Sequence, residues 1–504
     1  MNRIFRALCS LGSSLLMLCA AAAVMPVSAA DDDNTFTDKT LTYEKIQGGV
    51  RIIGAEAGTI KVNIGSSIDG YQILEIGEQA FSNCSKLTEV TLNNGLQKIG
   101  TGAFSGCMNL EKINIPETVT EIGEGAFYYC GSLKELTLPD SVTSIGNSAF
   151  AYCFSLETLK LPDTVTSLPA YTFLYDIALK TVELPKTLTE IGELTFVECY
   201  LLENVKIPAS VTTIEPSAFV ACSGIKAFEI ESGNTAYHTD EVGAIYTMDN
   251  KTLLCYPAGS STKEYTVPDG VETLSPYAFS GAVDLETVTL PATVNTIGKG
   301  LFSDCRSLKT FTLPDNITEI PESMFANSAI SSFTIPQTVT QIGAYAFFDC
   351  SELTEITIPE SVTAIGDEAF FGCTGIPRIY VPDSVTAIGL YTFGYYLPRD
   401  DESSQQPLLQ QGFTLSGGPN TAAKKYAQEC GVQFDQVGID MQLVLYIVIG
   451  VLLVVFIVLT VILVMRGAKK RAEKAAAAPP EAPDPNYESI LDESAEDDDL
   501  AKYE

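Results

Sequence analysis

Leu133-x-x-Leu136-x-Leu138-Pro139-x-x-Val142-x-x-Ile145-Gly146-x-x-Ala149-Phe150-x-x-Cys153 is one copy of a pattern that decides the fold of this chain. Its phenylalanine recurs at Phe81, Phe104, Phe127, Phe150, Phe173, Phe196 and Phe219, 23 residues apart each time. It resumes at Phe279, Phe302, Phe325, Phe347, Phe370 and Phe393, with a single 22-residue step. Pairs such as Ile122-Gly123 and Ile365-Gly366 stand just ahead of most copies. Self-similarity at a fixed period of this length marks a stacked-repeat architecture.

Each part of the unit has a physical role. Leu-x-x-Leu-x-Leu is a short strand whose spaced apolar residues point inward, and Pro139 ends it because proline cannot donate to a ladder. Val142 and Ile145 pack a second extended segment, Gly146 permits the bend, and Ala149-Phe150 opens a brief helical or 3₁₀ turn on the opposite side. One such unit cannot bury its apolar face alone, so neighbours must stack into a continuous core. The expected fold is a repeat solenoid of the leucine-rich-repeat type, with parallel β-strands and short helical or 3₁₀ turns over residues 68–396. At a spacing of ~4.8 Å, thirteen rungs would extend for roughly 60 Å.

Cysteine follows nine of these phenylalanines by three residues, at Cys84, Cys107, Cys130, Cys153, Cys199, Cys222, Cys305, Cys350 and Cys373. Asp176, Ala282, Ser328 and Tyr396 fill the same slot elsewhere. Residues at equivalent rungs project in parallel, whereas a disulfide needs Cβ atoms ~3.8 Å apart and turned towards each other. Buried free thiols are therefore expected. Cys255 and Cys430 lie outside this series, and the sequence leaves open whether they pair.

Between Phe219 and Phe279 the series is interrupted. The insertion, 231–266, contains Gly243-Ala244-Ile245-Tyr246 and Thr252-Leu253-Leu254-Cys255, with Met248-Asp249-Asn250-Lys251 between them reading as a hairpin turn. Insertions of this kind project from one side and often carry binding; the plainer reading is a spacer hairpin. Residues 31–67 read as a β-rich N-terminal cap, 397–412 as a polar loop, and 413–440 as a strand, short helix and final strand closing the stack.

The termini address the chain. Arg3 and Arg6, an apolar stretch from Leu15 to Val24 and small residues up to Ala30 form a secretory signal over 1–30. Cys19 raises a lipoprotein reading, opposed by Leu18 where a small residue should stand. Leu443 to Met465 is an uncharged run long enough to span ~30 Å of hydrocarbon, giving a transmembrane helix over 441–465. Arg466, Lys469, Lys470, Arg471 and Lys474 follow, which places the tail inside and the ectodomain outside. The tail, 466–504, is Ala/Pro-rich and then acidic, and reads as disordered.

Formal net charge is −33, nearly all of it in the expected ectodomain. Such a surface repels phosphate backbones, so nucleic acid is excluded as a partner. Any electrostatically steered partner should be basic or bring divalent cations.

With Leu-x-x-Ile/Val-x-Leu-Pro-x-x-Val-Thr-x-Ile-Gly-x-x-Ala-Phe-x-x-Cys laid out, the chain resembles the BspA-like leucine-rich repeat family of bacterial surface proteins. The resemblance covers about 68–396 and extends to the insertion and the 413–434 close. Leu168-Pro169 and Ile320-Pro321 depart from it, standing where Ile-Gly is usual. The resemblance implies a cell-surface scaffold and permits adhesion to host proteins or other cells; it says little of activity. Anchoring falls to the apolar helix, because no Leu-Pro-x-Thr-Gly signal is present.

Chemistry has few footholds. His238 is the only histidine, so paired Ser or Cys nucleophiles have one base between them. The repeated Ile-Gly pairs are turn glycines, and a 23-residue Cys spacing matches no zinc motif. No cofactor, metal or catalytic residue is expected, and the chain reads as a non-enzyme. Binding surfaces fare better. Thr287/Thr289, Thr310/Thr312, Ser332/Thr334 and Glu355/Thr357 form a hydroxyl-rich stripe over four rungs, either a recognition face or β-branched residues suited to an exposed strand. Tyr129, Tyr152 and Tyr175 share one repeat position, matched by Tyr395, and form either an anchor for a partner or surface packing. The absence of Trp weakens a carbohydrate-binding reading.

The expected function is recognition or adhesion by a single-pass surface protein, its partner an unidentified extracellular protein or cell-surface macromolecule. A passive spacer of the envelope, and a receptor-like sensor acting through the tail, remain as alternatives.

Overall fold

The computed structural model describes residues 34–38, 40–56, 58–398, 406–438 and 441–477. The expected signal segment, the alternative lipidated Cys19 and the tail beyond 477 lie outside these. The chain divides into two compact units, Met1–Gly438 and Ile439–Glu504.

The first unit is a parallel β-solenoid of about 16 turns. Three hydrogen-bonded ladders run through it. The first is built from the Leu-x-Leu segments: Glu135–Thr137, Thr158–Lys160, Thr181–Glu183, Asn204–Ile207 and Ala227–Ile230 pair in parallel, with Leu136 opposite Leu159 and Leu159 opposite Val182. The second joins the Ile-Gly segments, where Ile76, Ile99, Ile122 and Ile145 succeed one another in register. Gly146 is required here, because a Cβ would lie 2.3 Å from the backbone nitrogen of Glu124. Pro169 does not break the ladder: Gly192 still donates to Leu168 O at 2.8 Å.

The third ladder lies on the phenylalanine side. The expected helical or 3₁₀ segment is instead a run of bonded turns in which Gln79, Phe81 and Asn83 donate to Thr101, Ala103 and Ser105 of the next rung at 2.8, 2.8 and 2.7 Å. Projecting every second amide at a neighbour rather than along the segment requires left-handed residues, and they recur two before and two after the phenylalanine. Ser148 and Tyr152 flank Phe150 at φ 55° and 63°, and Tyr171 and Tyr175 flank Phe173 at 63° each.

The phenylalanine rings are fully or almost fully buried and stack face to face. Centroids are 5.1 Å apart for Phe81–Phe104, 5.8 Å for Phe127–Phe150 and 5.3 Å for Phe196–Phe219. The stack resumes at Phe279–Phe302, 5.3 Å, and ends at Phe370–Phe393, 5.3 Å. Beside it run the cysteines, all unpaired among the described residues and buried except the half-buried Cys430. From Cys107 onwards the ladder thiols serve their own backbone: Cys107 Sγ donates to Phe81 O at 3.1 Å and Cys130 Sγ to Phe104 O at 3.3 Å. Burial pushes these thiols up, so they are poor nucleophiles.

The insertion corrects the expectation of a projecting element. Tyr237–Thr239, Ile245–Thr247 and Thr252–Cys255 form an antiparallel meander with its turn at Met248–Lys251, and its last strand pairs in parallel with Thr273–Leu274. The meander is thereby spliced into the second ladder. Its alternating side chains serve two interiors: Ile245, Leu254 and Cys255 join the core that begins at Leu41, while Ala244, Tyr246, Leu253 and Tyr256 join the core that ends at Val432. The expected single continuous interior is thus two, with the meander as the partition. Glu264–Thr266 pairs with Thr287–Thr289 and belongs to the repeat ladder, so the insertion ends before residue 264.

The boundaries shift elsewhere too. Within the N-terminal cap, Gly49–Ala55 and Lys61–Ile64 already pair in parallel with repeat strands, so stacking begins before residue 68. Within the expected 397–412 loop, Leu408–Leu409 pairs antiparallel with Tyr395–Tyr396. The C-terminal close consists of strand Thr414–Gly417, helix Ala422–Cys430 and strand Gln433–Gln436. Thr421 caps that helix, and Gly431 ends it at φ 70°.

The second unit is the helix Met441–Ala476. It does not stop at Met465, as the sequence reading had it. Ala, Lys, Arg and Glu are strong helix formers, and they carry it through the basic cluster for about three further turns; residues 466–476 are therefore helical rather than disordered.

Candidate recognition face

The outward positions of the first ladder change character along the solenoid. In the N-terminal half opposite charges meet across adjacent rungs, either in the strands or at the position just before them. Lys61 meets Glu89 at 2.6 Å, Lys180 meets Glu157 at 2.7 Å, and Lys226 meets Glu203 at 3.2 Å. Lys263–Glu286, at 2.6 Å, is the last such pair before the hydroxyl stripe. These side chains are about half-exposed or more, so water screens the pairs and they add little to stability. Their main effect is to favour one register. From Thr287 to Thr357 the outward slots of the strands themselves carry hydroxyls, with Glu355 the one ionised group among them, while the position just before the strands is still charged at Glu286 and Lys309.

All the expected stripe residues, Thr287, Thr289, Thr310, Thr312, Ser332, Thr334 and Thr357, are exposed on this face. Successive rungs keep them aligned, with Thr287 opposite Glu264 and Ser332 opposite Thr310 and Glu355. Thr287, Thr289, Thr310 and Thr312 line an open groove of about 610 Å³. Its floor is Val288 and Phe311, and its rim is Pro291, Pro314, Asp315 and Asn316. The rim residues follow the strand-ending prolines, and the sequence reading did not select them. A second groove of about 860 Å³ lies on the charged part of the same ladder, between Glu89, Lys112, Lys134 and Glu135.

A second threonine row shows what a structural hydroxyl looks like here. Thr143 donates to Thr120 O at 3.2 Å, Thr363 to Thr340 O at 3.2 Å and Thr386 to Thr363 O at 3.2 Å, each one rung back. Among the described residues, the hydroxyls of Thr287, Thr289, Thr310, Thr312, Thr334 and Thr357 make no such bond to the chain's own atoms. Burial of a hydroxyl without a partner is costly, but an exposed one merely waits on water and can exchange it for another acceptor.

The tyrosine row is more committed. Tyr152 and Tyr175 stack at 5.2 Å, and Tyr129 packs edge-on against Phe154 at 5.3 Å. Tyr175 donates to Glu198 Oε1 at 2.8 Å, and Tyr200 donates to the other carboxylate oxygen. Glu198 is itself buried, a group the sequence reading missed. Left-handed backbone at Tyr129, Tyr152 and Tyr175 (φ 61–63°) is not a mark of function, because Asn83, Ala221 and Asp304 adopt it in the same slot. Tyr395 instead donates to Cys430 O at 2.7 Å within the C-terminal close.

His238 lies on the meander, 2.7 Å from Asn250 Oδ1 and stacked on Tyr246. Among the described residues, no three His, Cys, Asp or Glu side chains gather to hold a metal ion.

The chain matches the family model of the BspA type leucine rich repeat region in six copies, over residues 32–153, 59–178, 143–241 and 258–397. It is similar to the crystal structure of a leucine rich cell surface protein from Faecalibacterium prausnitzii: 28% identity, TM-score 0.60, covering 74% of this chain and 97% of that one. A leucine-rich repeat protein from Eubacterium ventriosum is 22% identical over 74% and 98% of the two chains, with a TM-score of 0.44. The pneumococcal vaccine antigen PcpA is 16% identical over 80% and 99%, with a TM-score of 0.47. No curated protein matches the chain.

Proposed function

The chain belongs to the BspA-type leucine-rich repeat family, and from that premise we propose that it is a single-pass surface protein that binds another protein through the hydroxyl stripe between Thr287 and Thr357. The observation that carries this reading is the contrast between two threonine rows on one scaffold. One spends its hydroxyls on the preceding rung, and the other holds them outward over a groove. The groove's apolar floor, its threonine hydroxyls and a lining in which Asp315 is the one charged residue suit an extended polypeptide segment, which supplies both donors and acceptors at the spacing of strands.

Anchoring is assigned to Leu443–Met465, a run of 23 apolar or uncharged residues whose side chains are exposed along the helix. At 1.5 Å per residue it reaches about 34 Å, enough to cross a bilayer. The basic residues from Arg466 to Lys474 hold that end on the cytoplasmic side.

A photo-crosslinking residue placed at Thr312 in the surface-displayed full chain tests the recognition reading, with the same residue at Thr363 as control. Adducts with a protein at position 312 and none at 363 are expected. No adduct at either position would leave the chain as a spacer.

A further inference from the structure

Glu264 and Glu355 bound the hydroxyl stripe. Both stand in the first outward slot of their rungs, the slot that Thr287, Thr310 and Ser332 fill between them. Register fixes the column: Glu264 is opposite Thr287, and Ser332 is opposite both Thr310 and Glu355. Thr287 and Thr310 belong to successive rungs on either side of the groove. The column therefore reads acid, three hydroxyls, acid. Four steps of ~4.8 Å set the two glutamates about 19 Å apart.

Several glutamates of this ladder are matched with a lysine on a neighbouring rung, among them Glu89 with Lys61, Glu157 with Lys180 and Glu203 with Lys226. Glu264 and Glu355 are exposed and, among the described residues, have no such ion pair. The bases beside them are engaged elsewhere: Lys263 with Glu286 at 2.6 Å, and Arg378, on the rung after Glu355, with Asp435 at 3.3 Å. Lys309 is a further base next to the stripe, and it acts on the same Glu286. On the other flank Asp269, Asp315 and Glu360 follow the strand-ending prolines of the first, middle and last of these rungs. All three are exposed, and among the described residues they too lack an ion pair. The stripe thus lies in a negative potential along its length, which an acidic or neutral segment would not complement.

Length and charge together define the occupant. An extended chain advances ~3.3 Å per residue and turns alternate side chains to the same side. About 19 Å is roughly six residues, an even number, so residues i and i+6 face the stripe together. We infer that the partner segment is an extended cationic peptide running along the stack, with basic residues at i and i+6 meeting Glu264 and Glu355 and small polar side chains between them lying over Thr287, Thr310 and Ser332. Arginine suits the two ends, because its planar fork can take both oxygens of a carboxylate. This partner class rests on the stripe being the recognition face, as proposed above.

Two labelled heptapeptides of one composition provide the test, titrated with the full chain and read by fluorescence anisotropy. Each has two arginines, three serines and two threonines. One carries the arginines at its first and seventh positions, and the other carries them side by side in the middle. General attraction to an acidic protein acts on both alike. The spread peptide should bind roughly tenfold tighter; Glu264→Gln or Glu355→Gln should each remove about threefold, and the double variant should bring the two peptides level. Glu264→Lys/Glu355→Lys should prefer a peptide with glutamates at its ends. Equal binding of both peptides by the parent chain, or a preference that survives the double glutamine variant, overturns the assignment.

The same double variant, carrying the photo-crosslinking residue at Thr312, separates this partner class from the reading beneath it. Adducts lost along with the two glutamates support the cationic segment. Adducts at undiminished yield overturn it and leave the stripe as the recognition face. If the parent chain gives no adduct at position 312 either, both fall together.

Discussion

Asp176 Oδ1 accepts the backbone N–H of Cys153 at 2.8 Å, from within a column that is otherwise built of thiols from Cys84 to Cys222. Among the described residues its other oxygen has no partner, and burial pushes the carboxyl well above the usual carboxylate range. A folded-state affinity for the proton higher than the unfolded one makes stability fall as pH rises past the ordinary carboxylate range, until the folded group itself ionises. Asp176→Asn should therefore melt higher than the parent at pH 8, with the gap closing towards pH 4. Asp176→Cys should restore the column and stabilise by about 1–3 kcal/mol at neutral pH. Calorimetric melts across that range check both, and a pH-independent gap would contradict the sign.

Phe150 has rings stacked on both sides, Phe127 at 5.8 Å and Phe173 at 5.7 Å. Phe150→Ala should cost about 3–5 kcal/mol in urea denaturation, because neighbouring rungs are fixed by their ladders and cannot collapse into the space.

Tyr265 donates to Asp240 Oδ2 at 2.6 Å and also bonds the Tyr246 hydroxyl, tying the first ladder to the meander. Tyr265→Phe should cost about 1.5–3 kcal/mol, as expected for a bond to a carboxylate. Because the meander divides the interior, hydrogen exchange should quicken chiefly from residue 244 onwards, with amides between Phe81 and Phe196 little changed.

The two threonine rows should separate stability from binding. Thr363→Val removes a rung-to-rung bond and should cost about 0.5–1.5 kcal/mol. Thr312→Val removes none and should leave the melt unchanged while weakening partner capture. Equal effects of both variants on stability would mean that the outward row also serves the fold.

Much of this architecture was legible in the spacing of phenylalanine, since a period that survives thirteen times admits few folds. What escaped has physical reasons. Tyr152 and Tyr175 carry a backbone conformation that glycine usually announces, and nothing in a tyrosine signals it. The meander has strands of three or four residues, too short for periodicity to reveal that their opposite faces serve different interiors. The hydroxyl stripe was visible as composition, but Thr312 and Thr363 are the same residue type, each next to a two-residue strand. Only coordinates distinguish a hydroxyl bonded to its own backbone from one held outward.

The column of unpaired cysteines bears on how such a chain can be made. Neighbouring sulfurs point the same way at one-rung intervals and bond to backbone carbonyls, so the interior gains compact, polarisable filling without any step of oxidation. These buried ladder cysteines then call on no oxidase, disulfide isomerase or external electron acceptor, and their packing is the same whether the surroundings are airless or aerated.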